Sequence, residues 1–150
     1  MKTLFDPVAY EEIVRRVESI QPGSERQWGK MTVAQMLEHT ARALEMAGGK
    51  KPHKQVFLGK LIGWIFRKDF VGDKPFGRNA PTGPDFVVSG TTPDFTHTKE
   101  RLKALLGELH ALGEKGCDGH IHGFFGKMTG AEWGVTQYKH LDHHLRQFGA

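Results

Sequence analysis

The stretch that decides the fold runs from Thr129 to Phe148, TGAEWGVTQYKHLDHHLRQF. Thr129 and Glu132 have the spacing of a capping box. In that motif the threonine oxygen takes the amide three residues on, and the glutamate reaches back to the threonine amide. Behind this start, Trp133, Gln137, Leu141, Leu145 and Phe148 recur at the helical period, which predicts a helix with one inward stripe running to about Phe148. His140 and His144 fall together at one edge of that stripe, about 40° apart on the helical wheel. His143 lies about 60° from His140 in the other direction and is expected at the rim or in solvent. Two imidazoles one turn apart are neighbours, and so placed they can bind one ion at about 2.0–2.1 Å.

Two histidines leave a site incomplete, so a third ligand has to come from another helix. Thr32-Val33-Ala34-Gln35 is a second capping box, followed by a stripe of Val33, Met36, Leu37, Thr40, Leu44 and Ala47 and stopped by Gly48-Gly49. His39 flanks this stripe in mid-helix, beside Met36 and Ala43. His53, His97, His110, His120 and His122 fall in loops, near helix ends or outside the stripes. His39, His140 and His144 are therefore the candidate metal ligands. A single histidine at a core edge is more often just hydrogen-bonded. Three buried together would be costly if charged, and a metal that keeps them neutral removes that cost.

Other metal motifs do not fit. The zincin pattern puts Glu directly after the first His, where this chain has Leu141. The di-iron bundle pattern needs Glu-x-x-His on two helices, and no inward Glu pairs with these histidines at that spacing. His143, His122 and Glu38 are the local candidates for a general base, none of them convincing. His120-Ile121-His122 reads either as a second metal pair or as two loop imidazoles. Cys117, beside Asp118 and His120, reads either as a reactive thiol or as a plain loop cysteine.

Two more helices complete the pattern. The first opens at Asp6-Pro7, a cap followed by proline at the first helical position, and carries Tyr10, Ile13, Val14, Val17 and Ile20 before Pro22-Gly23. The other covers about Asp94 to Leu112, with Phe95, Leu102, Leu105, Leu106, Leu109 and Leu112, and is expected to stop at Gly113. Between the second and third of these four helices lie the 43 residues from Lys51 to Pro93. Gln55 to Phe66 predicts a short, very apolar helix; Asp69 to Pro93 is rich in Gly and Pro, with short extended pieces such as Phe86-Val87-Val88. A structureless run of that length counts against an assignment, but a crossover between parallel neighbours in a bundle explains it. Helices of about 18 residues leave roughly 27 Å to travel. The expected fold is an all-α four-helix bundle in one domain over residues 1–150, with a long crossover containing a short extra helix and with the second and last bundle helices as neighbours.

Val56, Phe57, Leu61, Ile62, Trp64, Ile65 and Phe66 exceed what a crossover helix needs to cover one face, so they are expected in the core or against a partner, a homodimer being the expected one. Gly29-Lys30-Met31-Thr32 recurs as Gly126-Lys127-Met128-Thr129, each time at a helix start. This echo reads as similar capping chemistry or as a vestigial repeat.

At 150 residues and 38% hydrophobic content, the chain has the size and apolar share of one ordinary globular domain, which excludes a disordered tail protein. The apolar run from Val56 to Phe66 is broken by Lys60 and is too short to cross a bilayer. The start MKTLFDP has no apolar signal region, and the single cysteine excludes an internal disulfide, so a cytoplasmic location with no membrane partner is expected. The net charge of +4 is local: Lys50 to Arg78 holds eight basic residues and two acids, against a net −2 elsewhere. Such a segment reads as a solvated loop face, as a docking surface for an anionic small molecule, or as a nucleic-acid contact. No RNP, zinc-finger or helix-turn-helix signature supports the last, and none is expected.

Taken together, Trp28-Gly29-Lys30-Met31-Thr32, Met36-Leu37-Glu38-His39, His122-Gly123-Phe124-Phe125-Gly126-Lys127, Glu132-Trp133 and Lys139 through Phe148 resemble an uncharacterised bacterial family of the DinB-like (YfiT-like) superfamily of metal-binding four-helix bundles. The resemblance covers nearly the whole chain and is most specific in the last helix. It implies one His on the second helix and His-x-x-x-His on the fourth, which are His39, His140 and His144, binding a divalent ion such as zinc or nickel. It also implies an up-down-down-up bundle. Gln147 stands where relatives keep a polar residue, whereas Gly123 departs from a frequent proline. Characterised relatives include transferases that join low-molecular-weight thiols to electrophiles, a maleylpyruvate isomerase and candidate hydrolases. The expected function is a metal-dependent transferase in which a thiol loses its proton at the open site and attacks a small-molecule electrophile, with Lys50, Lys51 and Lys54 holding the thiol cofactor's carboxylates. The alternatives are a hydrolase with metal-activated water, or a non-catalytic stress or interaction protein whose metal clamps two helices.

Overall fold

In the computed structural model, residues 1–51, 53–72, 74–78, 86–88 and 93–150 are described. Much of the Gly- and Pro-rich half of the expected crossover lies outside them.

Four of the five helices among the described residues begin where the sequence supplies a capping side chain. Asp6 accepts the Ala9 amide at 2.9 Å and starts α1 (Pro7–Ser19). The Thr32–Gln35 box closes reciprocally at α2 (Val33–Ala47), with bonds of 3.2 and 2.9 Å. α3 (Phe57–Val71) has no side-chain cap. Asp94 accepts the His97 amide at 2.6 Å at the head of α4 (Phe95–Cys117). The Thr129–Glu132 box starts α5 (Gly130–Gln147). Between α4 and α5, β1 (Ile121–His122) and β2 (Gly126–Lys127) form a small antiparallel hairpin.

The GKMT echo has a local cause. Gly29 and Gly126 both have positive φ, 82° and 73°, and each precedes a capping-box threonine by three residues. Both entry loops reverse through a left-handed residue that only glycine adopts cheaply.

Three element boundaries differ from the sequence expectation. α1 ends at Ser19, before Pro22. The helix expected to stop at Gly113 does break there (φ 65°, ψ −175°), but the chain then resumes helical turns as far as Cys117, which the sequence reading did not expect. The crossover helix begins two residues later than Gln55 and runs past Phe66 to Val71. Its end is held by Lys139 of α5, whose ammonium donates to the carbonyls of Asp69, Phe70 and Gly72 at 3.2, 2.8 and 2.5 Å. A cation there satisfies carbonyls that a helix end otherwise leaves open.

α2 packs against both α4 and α5, and α1 packs against α4 and α5. Ile13 and Val17 of α1, Leu37 and Leu44 of α2, Leu106 of α4 and Trp133, Leu141 and Leu145 of α5 are almost wholly buried in one shared core. Outside the core, Arg101 of α4 bridges Glu38 and Glu45 of α2 at 2.7 and 2.6 Å and fixes the register of the two helices. α3 lies outside this group, against α5 and β2. Its contact side is made of glycine: a Cβ on Gly59 or Gly63 would stand 2.1 or 2.9 Å from the Phe124 carbonyl oxygen. The opposite side is open, with Phe57 76% and Trp64 74% exposed. The apolar excess of this helix thus does not enter the core.

Candidate metal centre

The i, i+4 spacing on α5 and the mid-helix position on α2 bring three imidazoles face to face. Ring centroids are 4.8 Å apart for His39–His140, 4.7 Å for His39–His144 and 4.7 Å for His140–His144, nearly an equilateral triangle. One ligand nitrogen from each ring lies within 4.8 Å of the other two, so His39, His140 and His144 could hold a metal ion. His39 Nε2 and His140 Nε2 are 2.9 Å apart. Two donors at about 2.0–2.1 Å on a tetrahedral ion sit roughly 3.4 Å apart, so a shift of a few tenths of an ångström converts this contact into a shared ligand edge.

The tautomers fit an ion. His39 Nδ1 is 2.9 Å from the Phe86 carbonyl oxygen, which can only accept, so Nδ1 carries the proton and Nε2 is a lone pair. His144 Nδ1 donates to Gln147 Oε1 at 2.8 Å, which leaves its Nε2 free in the same way. Gln147 is itself held, donating to the Trp28 carbonyl at 2.8 Å, while its own carbonyl accepts from the Gln27 amide at 2.8 Å. Metal-binding histidines usually have their second nitrogen tied to a carbonyl or carboxamide in this manner.

The electrostatics point the same way. Burial, reinforced by His39, lowers His144 to about 3, with the Gln147 bond opposing. Burial and then the neighbouring His144 and His39 push His140 well below the usual imidazole range. His39 is also lowered by burial, partly offset by its bond to Phe86. All three imidazoles are therefore held neutral, the form that ligates.

His143 corrects one expectation. It faces neither solvent nor rim but is buried, its ring edge-on to Trp28 at 5.6 Å and tilted against Phe76 at 6.5 Å. It is not among the grouped ligands, although its ring centroid is 5.0 Å from that of His144. The wheel placed it off the α5 stripe correctly, but the entry loop carrying Trp28 and the segment carrying Phe76 cover that flank.

The remaining candidates sit as follows. His120 Nδ1 pairs with the Ala47 carbonyl at 2.8 Å, and His122 Nδ1 accepts the amides of Phe124 and Phe125 at 3.1 and 3.2 Å, so the two do not form a second metal pair. Glu38 is engaged by Arg42 at 2.8 Å and by Arg101. Cys117 is buried and its thiol is pushed up to about 11, which fits a packed rather than a reactive cysteine. Lys50 pairs with Glu108 and Lys51 with Glu45, while Lys54 makes no ion pair among the described residues. Asp142 ties Arg16 and Arg146 at 2.8 and 2.9 Å.

Sequence reasoning missed three contributors. Gln147 has no assigned role in the sequence reading, although its i+3 position from His144 is the signal that points to it. Lys139, next to His140, links the site helix to α3. Phe86 supplies the carbonyl that sets His39, and nothing in its local sequence marks that contact.

Residues 5–150 match the family described as protein of unknown function (DUF1569), and over that span the chain belongs to it. No curated protein and no solved structure matches the chain. No helix among the described residues is long and apolar enough to cross a membrane.

Proposed function

We propose that this chain is a divalent-metal protein of the DinB-like superfamily, with zinc or nickel held by His39, His140 and His144, and that it works as a metal-dependent transferase of a low-molecular-weight thiol. The observation that carries the reading is the triangle of three neutral imidazoles, two of them with tautomers fixed for ligation by Phe86 and Gln147. The superfamily's up-down-down-up bundle is the finer form of this helical arrangement, and the packing of α2 against α5 supports it.

When bound, a divalent ion at a three-histidine site supplies Lewis acidity that favours the ionised form of a thiol or water placed beside it. The protein's own residues favour the thiol. A hydrolase of this design needs a general base, and each local candidate is occupied. His122 has its Nδ1 lone pair filled by two backbone amides, so as a neutral ring it carries its proton on Nε2. Glu38 is held by two arginines. His143 is buried against Trp28 and Phe76. A thiol would need no such base, because a bound ion would itself favour the ionised form. Its sulfur forms the new bond to the electrophilic carbon, the leaving group departs with its electron pair, and the thiol proton goes to solvent. Of the three lysines expected to hold the thiol's carboxylates, Lys54 alone makes no ion pair among the described residues, which makes it the first to test.

The experiment is to strip the protein with a chelator, titrate it with zinc and with nickel, and then offer the loaded and stripped forms a thiol with a chloro-substituted fluorogenic electrophile. Tight one-to-one metal binding with metal-dependent thioether formation is expected. Metal binding without any thiol reaction would leave a clamp that joins α2 to α5, and failure to bind metal would remove every version of the reading.

A further inference from the structure

We propose that α3 is an interfacial helix that lays its exposed apolar face onto an anionic lipid surface. The side of α3 that meets the protein is fixed by Gly59 and Gly63, which allow the Phe124 carbonyl to approach the helix backbone. The far side therefore faces outward, and it holds Phe57, Leu58, Leu61, Trp64 and Ile65, each more than half exposed. Large apolar side chains concentrated like this on an outward helix face are a mark of an interaction surface. At 15 residues α3 is about 22 Å long, too short to span roughly 30 Å of hydrocarbon, so a bilayer can take it only in the plane of its surface.

Charge selects the partner. Lys60 and Lys68 of α3 are exposed and make no ion pair among the described residues. On the helical wheel Lys68 falls about 40° from Trp64 and about 20° from Leu61, inside the apolar arc rather than at its edge. The one carboxylate on α3, Asp69, is 3.2 Å from Lys74. A second copy of this chain joined through a two-fold axis would set this net-cationic face against itself, with Lys60 and Lys68 outnumbering Asp69 in each copy and Lys68 desolvated. A lipid surface bearing phosphates accepts both features at once. The aromatic and aliphatic side chains enter the acyl boundary, while the lysines extend along it to the headgroups. The homodimer expected from the apolar excess is thus the less favoured occupant of this face.

The test is sedimentation of the full chain with phosphatidylcholine vesicles and with vesicles containing about one-third phosphatidylglycerol, both at low salt. Several-fold more protein should sediment with the anionic vesicles, with a blue shift of Trp64 emission that a Trp64→Phe variant lacks. Leu61→Ser with Trp64→Ser should reduce binding at least about tenfold, and Lys60→Glu or Lys68→Glu roughly fivefold each. All these residues are exposed, so circular dichroism and melting should match the parent and exclude misfolding as the cause. Equal binding to both vesicle types, or none, overturns the proposal. So does a concentration-dependent dimer in sedimentation equilibrium that Leu61→Ser with Trp64→Ser dissolves, since a second copy would then own the face.

Discussion

His39 and His140 meet nitrogen to nitrogen, Nε2 to Nε2 at 2.9 Å, and only one of them can supply the proton between them. His39 cannot, because its single proton is on Nδ1, donated to the Phe86 carbonyl. In the metal-free protein His140 must therefore carry its proton on Nε2, and loading an ion must move that proton to Nδ1 or to solvent. Long-range nitrogen-15 spectra of the histidine rings at neutral pH should show His140 as the Nε2–H form without metal and switched on adding zinc, with His39 unchanged as Nδ1–H. An unswitched His140 in a protein saturated with metal would mean that its Nε2 is not a ligand.

Single alanine substitutions at His39, His140 or His144 should each abolish tight binding of a divalent ion, read by metal content after dialysis. His143→Ala should keep the metal, although it removes a ring packed against Trp28 and lowers stability. Metal at about a hundred times its dissociation constant adds about 2.7 kcal/mol to the native state. For a domain of this size that is a rise of roughly 5–10 °C in melting temperature. The parent and His143→Ala should show that rise, and the three ligand variants should not.

Helix starts and the clustering of His140 with His144 were legible because their determinants are short-range. Thr32 with Gln35 and Thr129 with Glu132 cap within one turn, and His140 with His144 share a face through helix geometry alone. His39 was legible as a mid-helix exception to an apolar stripe. What could not be read depended on contacts far apart in sequence. The Phe86 carbonyl reaches His39 across 47 residues, Lys139 ends α3 from about 70 residues away, and Trp28 covers His143 from the α2 entry loop. Gly113 marks the break in α4 through its positive φ, but a glycine does not decide whether the chain resumes helical turns beyond it.

Acid should destabilise the metal-free protein in a definable window. The folded values of His144 and His122 are lowered to about 3 and about 4, and His39 and His140 are lowered as well, burial being the main cause in each. Above the unfolded imidazole value of about 6.5 both states are neutral and these groups contribute no pH dependence. Below it the unfolded chain binds protons that the folded chain refuses, so stability falls with pH, by up to about 1.4 kcal/mol per pH unit for each such histidine. Urea midpoints of the stripped protein should drop steeply from pH 6.5 toward pH 4 and stay nearly flat from 7 to 8. Saturating metal should move the onset of that drop to lower pH, since bound imidazoles resist protonation until the ion leaves.

Cys117 should behave as an interior side chain. Its thiol is buried and pushed up to about 11 by burial, so at pH 8 only about one in a thousand is thiolate. A disulfide reagent should label the native protein very slowly and the urea-unfolded protein at once. Cys117→Ser should lower stability without altering metal content, and rapid labelling of the native protein would restore the reactive-thiol alternative.

Gln147 separates orientation of a ligand from packing around it. Its oxygen accepts the His144 Nδ1 proton at 2.8 Å, and its amide nitrogen donates to the Trp28 carbonyl at 2.8 Å. Gln147→Leu removes both bonds. Stability should fall by about 1–3 kcal/mol because two buried polar groups lose their partner, and metal affinity should fall about 10–100-fold because the His144 ring is no longer held. Gln147→Glu keeps an acceptor for Nδ1 and loses only the donation to Trp28, at the cost of a buried charge. It should therefore be destabilised when stripped yet bind metal within a few-fold of the parent, or more tightly, since a carboxylate makes the ring a better donor. Titration calorimetry of both variants, set beside their urea midpoints, gives the two effects separately. Equal loss of affinity in both would show that Gln147 acts by packing alone, and parent-like affinity in Gln147→Leu would show that His144 needs no support from it.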